Sequence, residues 1–202
     1  MTTTERLPKT PEPIDADGSR QTRVLAAVLA ASFRYDPPMA IEAASLDSED
    51  AAFIQGGVSI IAAARDGTNA TTVSRAIGCR VSADRRQVTI FLSAAQSGAL
   101  LADIRANGVI AVVFSQPTTH RTIQLKGTDA AVVPVLDDDP HVWAAYLERL
   151  TGELRHIGFS DGFARAMVKV PSADVVAVAF EPSAAFVQTP GPKAGTPLHS
   201  GT

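Results

Sequence analysis

At 202 residues, 46% of them hydrophobic, the chain has the length and apolar content of one globular domain with a sizeable core. A formal charge of −3, with no stripe of lysine or arginine, speaks against nucleic acid as a partner. Cys79 is the single cysteine, which excludes an internal disulfide and any multi-cysteine metal site and fits a reduced, intracellular chain.

Residues 1–18 are rich in Thr, Pro, Asp and Glu and read as a disordered arm. Ser19 then caps a helix expected over 20–34, where Val24, Leu25, Val28, Leu29 and Phe33 fall at helical spacing before Pro37 and Pro38 stop it. The apolar run 24–33 is far short of the roughly 20 residues that cross a bilayer. It also follows a long polar stretch and not a short basic start, so the expectation is a cytoplasmic protein with no membrane partner. A short helix over 48–55 comes next, anchored by Phe53 and Ile54.

From Val58 the pattern turns to strands. Strands are expected over 58–64, 70–81 and 87–92, separated by the turn signals Asp66-Gly67-Thr68-Asn69 and Ser82-Ala83-Asp84-Arg85-Arg86. Ser97 opens a helix to about Ala106, with Leu100, Leu101 and Ile104 on one face and Asn107-Gly108 as its stop. A buried strand over 109–114 follows. After it, 121–127 alternates Thr122, Gln124 and Lys126 with Ile123 and Leu125, as a strand with one wet face does.

Asp137-Asp138-Asp139-Pro140 has the acidic, proline-bearing look of a helix start, and that helix runs to about His156. Trp143 and Tyr146, three apart on it, read as packing residues. Ser160 caps a shorter helix over 161–168, and 175–180 is the final strand. Strands that follow one another through short turns favour an antiparallel sheet, and a nearly closed barrel hides its edges. The fold expected is mainly β (α+β): an antiparallel split barrel of about six strands with helices packed outside. It forms a single domain over 19–188, with a flexible Pro/Gly-rich tail over 189–202.

Few residues announce chemistry on their own. His120, His141, His156 and His199 are scattered, with no pair at metal-ligand spacing, so no metal is expected. Cys79 reads as a small wall residue of the barrel. No side chain presents itself as a general acid or base.

Four segments within 72–127 resemble the core of the pyridoxamine 5'-phosphate oxidase-like, FMN-binding split-barrel superfamily. Arg75-Ala76-Ile77-Gly78-Cys79-Arg80 is similar to the family's arginine, four mainly apolar residues and lysine. Val88–Ser93 followed by Ser97 resembles the strand, loop and serine before the short helix. Residues 107–114 resemble the buried strand after it, and Arg121-Thr122-Ile123-Gln124-Leu125-Lys126-Gly127 the strand that ends in glycine.

The resemblance implies a homodimer with FMN at its interface and an oxidoreductase acting on a small organic substrate. The cofactor contacts it implies are Ser74, Arg75, Ile77, Arg80, Leu92, Ser93, Ser97 and Thr122, with Arg75 meeting the phosphate and Arg80 near the ring. A deazaflavin- or haem-binding relative, with His120 or His156 as a haem ligand, stays open. So does a non-catalytic ligand-binding or interaction dimer.

Where the B6 oxidase has arginine and lysine after its serine, this chain has Gly98 and Ala99, which speaks against vitamin B6 oxidation. Geometry adds a condition. Residues five apart on a regular strand face opposite ways, so Arg75 and Arg80 share a site only if the strand bulges, for which Gly78 offers a place; otherwise only one of them faces the cofactor.

Overall fold

The computed structural model describes residues 46–198. The expected arm and the helix expected over 20–34 lie outside these residues, as do the last four positions of the chain.

Helix α1 (Ser48–Ile54) starts at Asp47, whose carboxylate accepts the Asp50 amide at 2.7 Å. Strands β1 (Ser59–Arg65), β2 (Thr71–Val81) and β3 (Val88–Ser93) form an antiparallel meander. Its first turn is held by Asp66, which accepts from the Thr68 and Ala70 amides. Helix α2 (Gly98–Asn107) ends at Gly108, where φ is 68° and a Cβ would meet the Thr128 carbonyl oxygen at 2.8 Å. Strands β4 (Ile110–Ser115), β5 (Thr122–Gly127) and the short β6 (Ala131–Val133) follow. Then come α3 (Asp139–His156), α4 (Asp161–Val168), β7 (Val175–Phe180) and β8 (Ala184–Val187).

All eight strands join one sheet in the order β6-β7-β3-β2-β1-β4-β5-β8, and every pairing is antiparallel. The sheet is curled but not closed. Strand β7 ends at Phe180 and β8 begins at Ala184, yet they stand second and last in the sheet. In a flat sheet six strand spacings would separate them by about 29 Å. The link between them reaches about 15 Å at most. Only a sheet wrapped into an incomplete barrel satisfies both. Gly127 at the end of β5 shows the approach directly: a Cβ there would lie 2.8 Å from the Phe180 ring.

The register sorts side chains into an inner and an outer face. Ile60, Ala62, Ala76, Cys79, Ile90, Leu92, Val112, Phe114, Ile123 and Leu125 line the inside and are all buried in one cluster. Helix α3 packs on the outer side of β2, where Trp143 meets Phe91 edge to face at 5.4 Å.

Among the described residues the strand count rises from about six to eight because β6 and β8 are three and four residues long and sit at the two sheet edges. So short a run carries too few alternations to stand out. The wet face expected for 121–127 is also corrected. Gln124 is 1% exposed and Thr122 is buried, because β8 pairs alongside β5 and residue 189 bonds back to Thr122. Residues beyond β8 turn back on it, the Leu198 amide donating to the Ala185 carbonyl.

Replacing Gly127 by Ala should cost about 1–3 kcal/mol, since the new methyl overlaps the Phe180 ring where the barrel draws together. A lowered urea midpoint with unchanged slope is the expected reading. An unchanged midpoint would show that this corner is loose.

Candidate functional site

Between Ala76 and Cys79 the register of β2 against β3 shifts: Ala76 pairs with Leu92, but Cys79 pairs with Ile90. Two residues, Ile77 and Gly78, thus oppose Phe91 alone, which is a β-bulge. A Cβ on Gly78 would already touch Trp143 Cα at 3.3 Å and the Phe91 ring at 3.4 Å, so helix α3 lies close over the bulge. The extra residue cancels the odd spacing and sends Arg75 and Arg80 to the same outer face. The condition set by the sequence is met.

The two arginines nevertheless have different surroundings. Arg80 donates from Nε to Asp139 at 2.9 Å, and that carboxylate is 1% exposed while Arg80 is 31% exposed. The other Asp139 oxygen accepts the Leu136 amide at 2.8 Å, and the group sits in the first turn of α3, where the helix dipole favours an anion. Arg75 donates to the Ser59 hydroxyl at 2.9 Å, and among the described residues it pairs with no carboxylate. It also lies near Tyr146, whose phenol is pushed up by burial against the pull of the Arg75 charge.

The hydroxyls are largely engaged with one another. Ser74 and Ser97 share a buried hydrogen bond of 2.6 Å, so Ser97 occupies the cap position of α2 without capping it through its side chain. Ser93 donates to Asp174 at 2.5 Å and accepts the Gln96 amide. Thr122 bonds Ser115 at 2.8 Å and the His120 carbonyl at 3.0 Å. Ile77 and Leu92 are buried in the core, Leu92 on the inner face.

Along the outer face, Arg75, Ile61, Val113, Gln124 and Phe186 stand side by side on β2, β1, β4, β5 and β8. Ile61, Val113 and Phe186 are half-buried. Lys126 lies over the Phe186 ring at 5.1 Å, and burial pulls its ammonium pKa down. Sequence reasoning missed Gln124, Phe186 and Asp139 as neighbours of the site. The alternation over 121–127 placed Gln124 on the correct face, but Asp139 is 59 positions from Arg80 and carried no local signal.

This donor set fits an apolar ring carrying one anionic group near Arg75. It does not fit a phosphate gripped by both β2 arginines and the serines, because Arg80 is held by Asp139, Ser93 by Asp174, and Ser74 and Ser97 by each other. His120 and His156 are exposed and stand at separate places, His120 in the β4–β5 turn and His156 at the end of α3 with Nδ1 against the Gly152 carbonyl. Among the described residues no cluster of His, Cys, Asp and Glu could hold a metal, and no helix is long and apolar enough to cross a membrane.

No family model and no curated protein matches the chain. Among solved structures it is similar to the following three. HupZ of Group A Streptococcus is 17% identical, with a TM-score of 0.45 over 74% of this chain and 99% of that one. An F420 reductase is 15% identical, with a TM-score of 0.43 over 66% and 93%. A candidate pyridoxamine 5'-phosphate oxidase of Lactobacillus delbrueckii is 15% identical, with a TM-score of 0.45 over 71% and 94%. At these identities and scores the likenesses are distant and assign no ligand.

Two outcomes follow from the packing. Ser97→Ala leaves the buried Ser74 hydroxyl without its partner and should cost about 1–3 kcal/mol, and the Ser74→Ala/Ser97→Ala double variant should recover most of that loss. Equal losses in the single and double variants would contradict the coupling. Burial pushes the Cys79 thiol up despite the nearby Arg80, so the native protein should resist a thiol reagent at pH 8 and react only when unfolded. Rapid native labelling would contradict that burial.

Proposed function

We propose that this protein is a cytoplasmic homodimeric oxidoreductase. In this reading it binds FMN or a deazaflavin on the outer face of β1, β2 and β4, next to Arg75, and acts on a small organic substrate. One observation carries this reading: among the described residues Arg75 stands on that face with a single hydroxyl partner, beside the half-buried Ile61 and Val113. A guanidinium presents several donors in a fixed plane, so one bond to Ser59 fixes its orientation and leaves others for an anionic group. Ile61 and Val113 offer an apolar bed for a ring, and a second copy laid over this half-covered face would exclude water from it.

When bound, the ring supplies the hydride chemistry. The chain's own part is to hold its charged end at Arg75, support its flat face on aliphatic side chains and keep solvent away. No general acid or base is required of the side chains.

A second reading, a non-catalytic ligand-binding or interaction dimer, is favoured by the Ser74–Ser97 and Arg80–Asp139 pairs, which spend on internal contacts the groups a phosphate would need. The two readings separate on one titration. FMN and a deazaflavin, followed by fluorescence, should bind the wild-type protein saturably, and Arg75→Ala should weaken that binding roughly 10- to 100-fold through loss of a charge-assisted bond. Binding unaltered by the substitution would remove Arg75 from the site. Absence of binding of either ring would favour the second reading.

A further inference from the structure

The bulge brings two arginines to one face of β2, and the chain then treats them differently. Arg75 is oriented by a neutral hydroxyl, whereas Arg80 is matched to a carboxylate that is almost completely enclosed. That carboxylate is itself fully engaged: one oxygen takes Arg80 and the other takes the Leu136 amide, at the positive end of an eighteen-residue helix. It therefore supplies, from within the chain, the negative charge that a ligand's anion would otherwise bring to Arg80. An incoming phosphate would meet a guanidinium whose charge is already matched by a carboxylate that two bonds and the helix terminus hold in place.

We infer that Asp139 is a built-in counter-anion for Arg80, so that only Arg75 senses ligand charge and Arg80 adds nothing to the preference for a ring cofactor that carries a phosphate. This rests on the ring-cofactor reading above. Arg80 is thus a structural tie between β2 and the start of α3, and Asp139 sets cofactor preference by withholding it.

The test compares FMN with riboflavin, which carries the same ring without phosphate, and adds inorganic pyrophosphate as a ring-free probe. Proteins titrated are the wild type, Asp139→Asn, and the Asp139→Asn/Arg80→Gln double variant, with circular dichroism as the check on folding. The double variant replaces a buried ion pair by two neutral amides, which is tolerated better than removal of one partner.

Asp139→Asn should raise the preference for FMN over riboflavin by roughly tenfold, because it frees a guanidinium for the phosphate. The double variant should return the FMN affinity to within about twofold of the wild-type value. A folded Asp139→Asn protein with unchanged preference would overturn the inference. So would a folded double variant that binds FMN tenfold more weakly than wild type, since Arg80 would then contact the ligand.

If neither flavin binds the wild-type protein, the ring reading fails, and the pyrophosphate arm decides the inference alone. Pyrophosphate should then bind Asp139→Asn roughly tenfold more tightly than it binds the wild type or the double variant. Equal binding, or none, across the three proteins would overturn it.

Discussion

One inserted residue in β2 governs the arrangement of the site. Without the bulge at Ile77 and Gly78, Arg75 and Arg80 would point to opposite faces, one of them into an apolar barrel where an unpaired guanidinium is very costly. With it, both emerge on the outer face and the inner face keeps an unbroken apolar row through Ala76, Cys79, Ile90 and Leu92. Glycine at the second bulge position is what lets α3 come close, since Trp143 backbone lies 3.3 Å from where a Cβ would be. Bulge, helix packing and arginine placement are therefore one constraint.

The polar groups near the bulge divide into those already engaged and those with capacity left. Ser74 with Ser97, Ser93 with Asp174, Thr122 with Ser115, and Arg80 with Asp139 each form short contacts within the chain. Buried groups so satisfied would have to surrender a bond to meet a ligand, which offsets much of what the new contact gives. Arg75 differs in that, among the described residues, its one partner is a neutral hydroxyl that leaves its charge unmatched. Its surroundings differ in kind, with aliphatic neighbours on β1 and β4, and the proposed ring site rests on this contrast.

Much of the architecture was legible in the chain. Apolar runs cut by Asp-Gly-Thr-Asn and Ser-Ala-Asp-Arg-Arg gave the meander, and Asn107-Gly108 marked the end of α2 where the backbone takes a positive φ. The bulge was legible only as a condition, because two arginines five apart share a face if the strand bulges near Gly78 and otherwise do not. What could not be read was non-local. Strands β6 and β8 exist because neighbours lie ready to pair with them, and Gln124 is buried because a later strand adds beside it. The Arg80–Asp139 tie joins a strand to a helix far along the chain, and Ser97 gave up its cap for a hydroxyl on β2. Each reflects tertiary packing overriding a local preference.

The location of the ring is the central claim, and methyl NMR of the protein labelled at isoleucine and valine tests it most directly. Added FMN should shift the Ile61 and Val113 methyl signals progressively and to saturation, through the ring current of a flat aromatic system lying on β1 and β4. The inner-face methyls of Ile90 and Val112 should move far less. Saturating shifts confined to other methyls, or no shift at Ile61 and Val113 while FMN demonstrably binds, would contradict it.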